Sequence, residues 1–377
     1  MNLGYVSNNL DIASNHIRRR YGLSFWKLSP KFRKVIAWGD EAFSAHGGDI
    51  WLEAERWQPN PKVFVIQQKY LNQPFQIQSV RYTVVSRTVL IGNDGCAKLP
   101  SNKVCGIAKR SAARFFHEEI DLYHKILENS RIKPAEGLCS DKYLTLSLVN
   151  RFDRNYGHWM CELLPQVTLL ISKSLEWNKV ARVIIRADTP RFVFESLQLF
   201  FPRVIVDVFN PGMSVGNLLV VQNPTTGFSF LPSAIKLIRQ PIRDYIENTS
   251  PIPSSGRFYF SRPSLGWRKI LNECDLYETL NHFNIAHINP SELSFEHQVR
   301  MFAAARFLCG IHGSAFINML FAENCSSLEF VGSYGDVTMA SLSSILDFKH
   351  SALACQSAGD DAIINVAEAH VAIEKCL

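Results

Sequence analysis

The sequence predicts an α/β protein whose two halves face each other across a cleft. Three observations carry this: β-rich runs recur roughly every 20–27 residues with helical periodicity between them, the length suits about two domains, and a segment with little to bury separates the halves. Of the 377 residues 47% are apolar and 20% charged, too apolar for a mostly disordered chain and too long for a disulfide miniprotein. No heptad run, collagen period or short repeat is present, which argues against fibrous and solenoid arrays.

From the N-terminus, residues 16–38 interleave Arg18, Arg19, Arg20, Lys27, Lys31, Arg33 and Lys34 with Tyr21, Phe25, Trp26, Phe32 and Trp38. That mixture fits either an anionic bilayer surface or an extension that packs a few aromatics on the domain. Residues 63–66 read as a short buried strand, and 75–91 as β-structure ending at the turn Gly92-Asn93-Asp94-Gly95. Helical spacing of Phe115, Ile120, Tyr123 and Ile126 predicts a helix over 112–127. Strands at 143–149, 180–186 and 204–208 alternate with an amphipathic helix near 192–200.

The stretch 247–256 is rich in Pro, Ser and Gly and reads as a linker. Beyond it the alternation sharpens. A strand at 258–261 precedes a helix capped by Asn272, with Asp275 in its first turn and Leu276, Leu280 and Phe283 as its inner stripe. A strand at 285–288 leads to a helix opened by Ser294. Then come a strand at 307–309, a helix over 314–321, a strand at 328–331 and a closing helix over 363–375. Parallel βαβ units of this kind place the strand C-terminal ends along one edge, where ligands bind. The implied organisation is an extension (1–55), a first α/β domain (56–245), a linker (246–256) and a second, Rossmann-like domain (257–377).

Forty Lys and Arg against thirty-four Asp and Glu leave a net charge of +6, a mild bias that suits anionic groups but lacks the dense basic footprint of nucleic-acid binders. The nine cysteines are odd in number, include no C-x-x-C pair and lie partly in apolar runs, the pattern of reduced thiols in a reducing compartment. No secretory h-region and no run of 18 uninterrupted apolar residues occur, so the expectation is a cytoplasmic protein.

Two clusters could carry chemistry. Arg262 follows the strand at 258–261 and Arg268 lies six residues on, while His312-Gly313-Ser314-Ala315 opens a helix on the same predicted edge. Helix first-turn amides lack internal partners and Arg pairs bidentately with phosphate, so this edge suits a diphosphate. Glu329 lies inside the next strand and needs a partner, which is either a ribose hydroxyl or a basic group of the protein. In the first half His158 and Glu162 are four apart, hence on one helix face, and could perform general-base work; the alternative is a capped His satisfied by Glu. Asp153 is a reserve base. Pro165 must kink or interrupt the helix. Dinucleotide, P-loop, nucleophile-elbow, H-E-x-x-H and Asp-x-Asp motifs are all missing, so no metal site is supported.

These residues carry a resemblance. Asn155-Tyr156-Gly157-His158-Trp159 with Glu162 and Leu164-Pro165 resembles the NYxHWxxExLP segment of glycosyltransferase family 61, which includes capsular polysaccharide biosynthesis proteins. Ser261-Arg262 with Arg268 and Ile270-Leu271-Asn272-Glu273 is similar to its SR…RxILNE segment, and Ser294-Phe295 with Gln298-Val299 and Phe302 to SFxEQVxLF. Gly310-Ile311-His312-Gly313-Ser314-Ala315 through Asn318 to Phe321 resembles GxHGAGLTNLLF, and Glu329 its late acidic strand residue. The motifs occur in order over roughly residues 60 to 332. The departure is Ser314-Ala315 where the family has Ala-Gly; the Ala315 methyl narrows a diphosphate's approach.

The resemblance implies a GT-B fold of two Rossmann-like domains and metal-independent, inverting transfer from a nucleotide sugar, commonly a UDP-sugar, with no cofactor. By carry-over Arg262, Arg268, His312, Gly313, Ser314, Ala315 and Asn318 would line the donor, Glu329 would lie near the ribose, and His158 and Glu162 would face the acceptor hydroxyl. Eukaryotic members usually carry an N-terminal anchor; without one here, the expectation is a bacterial cytoplasmic enzyme of capsule or lipopolysaccharide synthesis. Its acceptor would be a glycan or lipid-linked glycan, with residues 16–38 meeting the inner membrane face. The competing readings are a catalytically degenerate binding or scaffold protein, favoured by Ser314-Ala315, and an unrelated two-domain nucleotide-using enzyme.

Overall fold

Two β-sheets organise the chain. The computed structural model describes residues 49–53, 55–57, 75–77, 79–91, 96–98, 104–105, 140–150, 152–222, 225–226, 229–250, 252, 254–262, 266–333 and 337–377. The predicted strand at 63–66, the turn at 92–95, the helix over 112–127 and the basic aromatic stretch 16–38 lie outside the described residues.

The first sheet contains β1 (Asp49–Leu52), β2 (Val80–Ile91), β3 (Cys96–Lys98), β4 (Val104–Cys105), β5 (Tyr143–Ser147), β6 (Val180–Ile185), β7 (Ile205–Val208) and β8 (Ser214–Val221). Their order is β4-β3-β2-β8-β5-β6-β7, with β1 paired to β2. Strands β8, β5, β6 and β7 run parallel, whereas β2 is antiparallel to β8. Strand β8 explains the long apolar run at 218–221: Leu219 and Val221 enter one buried cluster and Leu218 and Val220 another, as a strand covered on both faces requires. Helices α1 (Leu164–Glu176), α2 (Arg191–Phe200) and α3 (Pro232–Glu247) accompany this sheet, and α3 ends inside the segment read as a linker.

The second sheet is all-parallel, in the order β10-β9-β11-β12-β13: β9 (Arg257–Phe260), β10 (Ala286–Ile288), β11 (Phe307–Ile311), β12 (Ser326–Val331) and β13 (Lys349–Ala354). Around it lie α4 (Tyr277–His282), α5 (Phe295–Phe302), the 3-10 helix Ser314–Phe321, α6 (Thr338–Ile345) and α7 (Val366–Cys376). Side chains alternate between two cores, Phe258, Phe260 and Leu308 to one and Tyr259, Phe307 and Cys309 to the other.

Three local expectations change. Asn272 does not cap a helix: its Nδ2 donates to the Ile364 carbonyl at 2.9 Å and its Oδ1 accepts from the Ile364 amide at 2.9 Å, so a tertiary partner outcompetes the local one. The segment that follows is a 3-10 turn, Glu273–Leu276, before α4 begins. The closing segment splits into a strand, Asp361–Ile363, and α7, which Asn365 caps through the amides of Ala367 and Glu368.

The larger apolar cluster runs through both halves, from Leu146 and Trp159 to Phe295 and Phe321. Phe295 packs edge-on against Phe200 at 5.7 Å and against Phe321 at 5.8 Å. Polar links cross beside it. Glu195 accepts from the Phe295 amide at 3.0 Å, and Arg239 donates to the Ala322 carbonyl at 2.7 Å. Among the described residues no helix is long and apolar enough to cross a membrane.

Candidate functional site

The turn after β5 is built by short polar side chains. Asn150 Oδ1 accepts from the Phe152 amide at 2.6 Å, and Asp153 Oδ2 accepts from the Asn150 amide at 3.1 Å and from Arg186 Nε at 2.7 Å. Burial pushes the Asp153 carboxyl up, against the opposing pull of Arg186. Asn155 then caps a helical turn, accepting from the amides of Gly157 (3.0 Å) and His158 (3.3 Å).

The chain continues as an α-turn, Tyr156–His158, a π-helical turn, Trp159–Leu163, and α1. The Leu164 amide reaches the Trp159 carbonyl, the i→i+5 bond of a π-turn. The interruption expected at Pro165 takes this form. Proline offers no amide, and Gln166 Nε2 donates to the Glu162 carbonyl at 3.0 Å. Trp159 anchors the turn, its Nε1 donating to Ser196 Oγ at 2.8 Å. On this frame His158 Nδ1 meets Glu162 Oε1 at 2.7 Å, the imidazole 21% exposed and the carboxylate 3%. Asp153 is tied to Arg186 rather than to this pair.

In the second half, β11 runs into His312, Gly313 and the 3-10 helix Ser314–Phe321. Arg262, just past β9, donates from Nη2 to the His312 carbonyl at 3.2 Å and from Nη1 to the Trp267 carbonyl at 3.1 Å. Its guanidinium fills the space that a side chain at Gly313 would need. Burial first, and then the neighbouring Arg268, lower the Arg262 pKa to about 10, which leaves it charged at neutral pH. Arg268 adopts a left-handed backbone (φ 61°), rare for a side chain of its size, and its guanidinium lies 4.5 Å from the Trp267 ring centroid.

His312 is buried, and its Nδ1 lies 2.5 Å from Glu329 Oε1; Glu329 Oε2 lies 3.4 Å from His350 Nε2. Burial alone would push the Glu329 carboxyl up, but the charge and hydrogen bonds of His312 and His350 outweigh it and hold it at about 2. The partner that Glu329 requires is thus a pair of histidines within the protein. Asn318 is fully buried, accepting from the Tyr156 hydroxyl at 2.5 Å and donating to Gln298 Oε1 at 3.2 Å.

The two clusters meet. A side chain at Gly157, one residue before His158, would lie 3.8 Å from Ser314 Cβ and 3.6 Å from Ile317 Cγ1, so the start of the π-turn segment rests on the start of the 3-10 helix. Gly157, the neighbour of His158, therefore stands beside Ser314, which follows Gly313 and the Arg262 guanidinium packed on it. Ala315 belongs to the same helix start. Sequence reasoning missed His350 and the bridging role of Tyr156, although Tyr156 lay inside the quoted motif. An imidazole held by a carboxylate in one half, and two guanidiniums near the first amides of a helix in the other, are groups of the kind that activate a hydroxyl and steady a departing anion.

Residues 156–328 match the family model described as Glycosyltransferase 61. That match supports assignment to glycosyltransferase family 61 and with it a glycosyltransferase activity. No curated protein matches it.

Proposed function

We propose that the protein is an inverting glycosyltransferase of GT-B architecture that works without a metal or cofactor. The proposed domains are 56–245 for the acceptor and 257–377 for the donor, joined at 246–256 and preceded by the extension 1–55. The observation that supports this most is the His158–Glu162 pair on a segment whose Gly157 approaches Ser314, the residue after the Gly313 turn that Arg262 packs on.

The tautomer that donates Nδ1–H to Glu162 leaves Nε2 of His158 as the basic nitrogen. Nε2 takes the acceptor hydroxyl proton as that oxygen attacks the anomeric carbon. The bond from that carbon to the diphosphate breaks, its electron pair leaving with the diphosphate. Glu162 stabilises the imidazolium. Arg262, Arg268 and the amides at the start of Ser314–Phe321 offset the charge on the leaving group. Glu329 acts behind His312 rather than on the ribose.

The donor in this reading is a UDP-sugar and the acceptor a glycan or lipid-linked glycan of bacterial surface polysaccharide synthesis, in the cytoplasm. Residues 16–38 would rest on the inner membrane face, and loss of 1–38 should release the protein from vesicles of anionic lipid. Incubation with a panel of sugar nucleotides tests the activity: UDP should be released from one donor when acceptor is present. UDP at ~100 times its Kd should also stabilise the fold by about 2.7 kcal/mol. A second reading, a binding protein without turnover, draws on Ser314-Ala315 in place of Ala-Gly; stabilisation by UDP with no release from any donor would favour it.

A further inference from the structure

We infer that His350 is a positioning residue of this site, holding the Glu329 carboxylate so that Glu329 in turn fixes the His312 ring. The inference rests on the glycosyltransferase reading for its catalytic consequence, though not for its geometry.

Strands β11, β12 and β13 are parallel neighbours. Register sets His350 of β13 opposite Ser327 of β12, and Glu329, two residues on, lies on the same face as Ser327. The His350 side chain is 0% exposed, so its ring nitrogens depend on protein partners. Nδ1 lies 2.8 Å from Ser327 Oγ and 3.4 Å from Ser343 Oγ. With Nδ1 accepting from the Ser327 hydroxyl, the neutral ring carries its proton on Nε2, which faces Glu329 Oε2 at 3.4 Å. That separation is long for a hydrogen bond, so the attraction is mainly that of an N–H dipole for a carboxylate. Oε1 then stays on His312 Nδ1 at 2.5 Å.

The charged and titratable neighbours fit a relay toward the site. Glu329 faces His312 and His350, the His312 carbonyl carries Arg262, and Arg268 stands beside Arg262. On the far side, among the described residues, the hydrogen-bond partners of His350 Nδ1 are the hydroxyls of Ser327 and Ser343. No part of this arrangement requires His350 to touch substrate.

His350→Phe keeps the ring's shape and removes both nitrogens. The expected result is a kcat about tenfold lower, with donor KM little changed and the acid limb of the pH–rate profile displaced. His350→Gln, whose amide can still donate to Glu329, should recover most of the rate. In a His312→Ala background His350→Phe should add nothing. The ring ¹⁵N signals of His312, assigned by their loss in His312→Ala, should shift in His350→Phe and return in His350→Gln. If His350→Phe fails to fold, Ser327→Ala provides the same spectroscopic test. Unmoved His312 signals in a folded variant, or losses that add in the double mutant, would overturn the inference. Absence of turnover by the wild type with every donor would instead count against the glycosyltransferase reading, and the His312 signals would still report on positioning.

Discussion

Each half of the molecule holds an imidazole against a carboxylate through Nδ1, at 2.7 Å for His158–Glu162 and 2.5 Å for His312–Glu329. The surroundings differ. The first pair lies along a π-turn with its imidazole side chain 21% exposed; the second lies between parallel strands with its imidazole 4% exposed and a second histidine behind the carboxylate. One motif therefore sits in two environments. A ring that water and an acceptor can reach is suited to taking a proton, whereas a ring enclosed with its counter-ion is suited to holding a fixed charge and shape.

The contrast breaks most directly at His158. If that ring is the base, His158→Ala should lower kcat by ~10²–10⁴ while leaving UDP affinity near wild type, checked by turnover and calorimetry on the same preparation. Glu162→Gln, which retains an acceptor for Nδ1–H, should cost less.

The buried pair should respond in stability. Glu329→Gln should destabilise the fold by on the order of 3 kcal/mol at neutral pH, because it strands two buried histidines. The folded carboxyl sits at about 2 against an ordinary 4.5, so its contribution is fully present above pH 4.5 and is lost as the pH falls toward 2. Melting temperatures across that window should decline more steeply in the wild type than in Glu329→Gln. A smaller effect is expected where the halves touch: Tyr156→Phe leaves buried Asn318 short of a donor and should cost ~1–2 kcal/mol by denaturant titration.

How far each pair could be read from the chain follows from its geometry. His158 and Glu162 are four apart on one helical stretch, so local spacing alone brings them together. His312 and Glu329 were legible as residues but not as partners, since they meet only because β11 and β12 are neighbours, with Gly310 opposite Glu329. His350 carried no local signal at all; its place depends on the pairing of β12 with β13. The order of strands and helices in the second half was legible as far as β12, because both faces of its sheet are buried, which leaves short apolar runs; α6 and β13 were missed. Strand β8 and helix α3 were missed in the first half, where antiparallel and parallel strands mix. Asn272 shows the same limit in reverse, a sound local capping signal overridden by a contact 92 positions away.

The apolar cluster threading through Phe200, Phe295 and Phe321 has a kinetic corollary. Prising the sheets apart would wet these rings at roughly 1.5–3 kcal/mol apiece. Wide hinge opening between the two sheets is thereby disfavoured. The spacing between the two histidine–carboxylate pairs is consequently an inheritance of folding, fixed as the shared core forms.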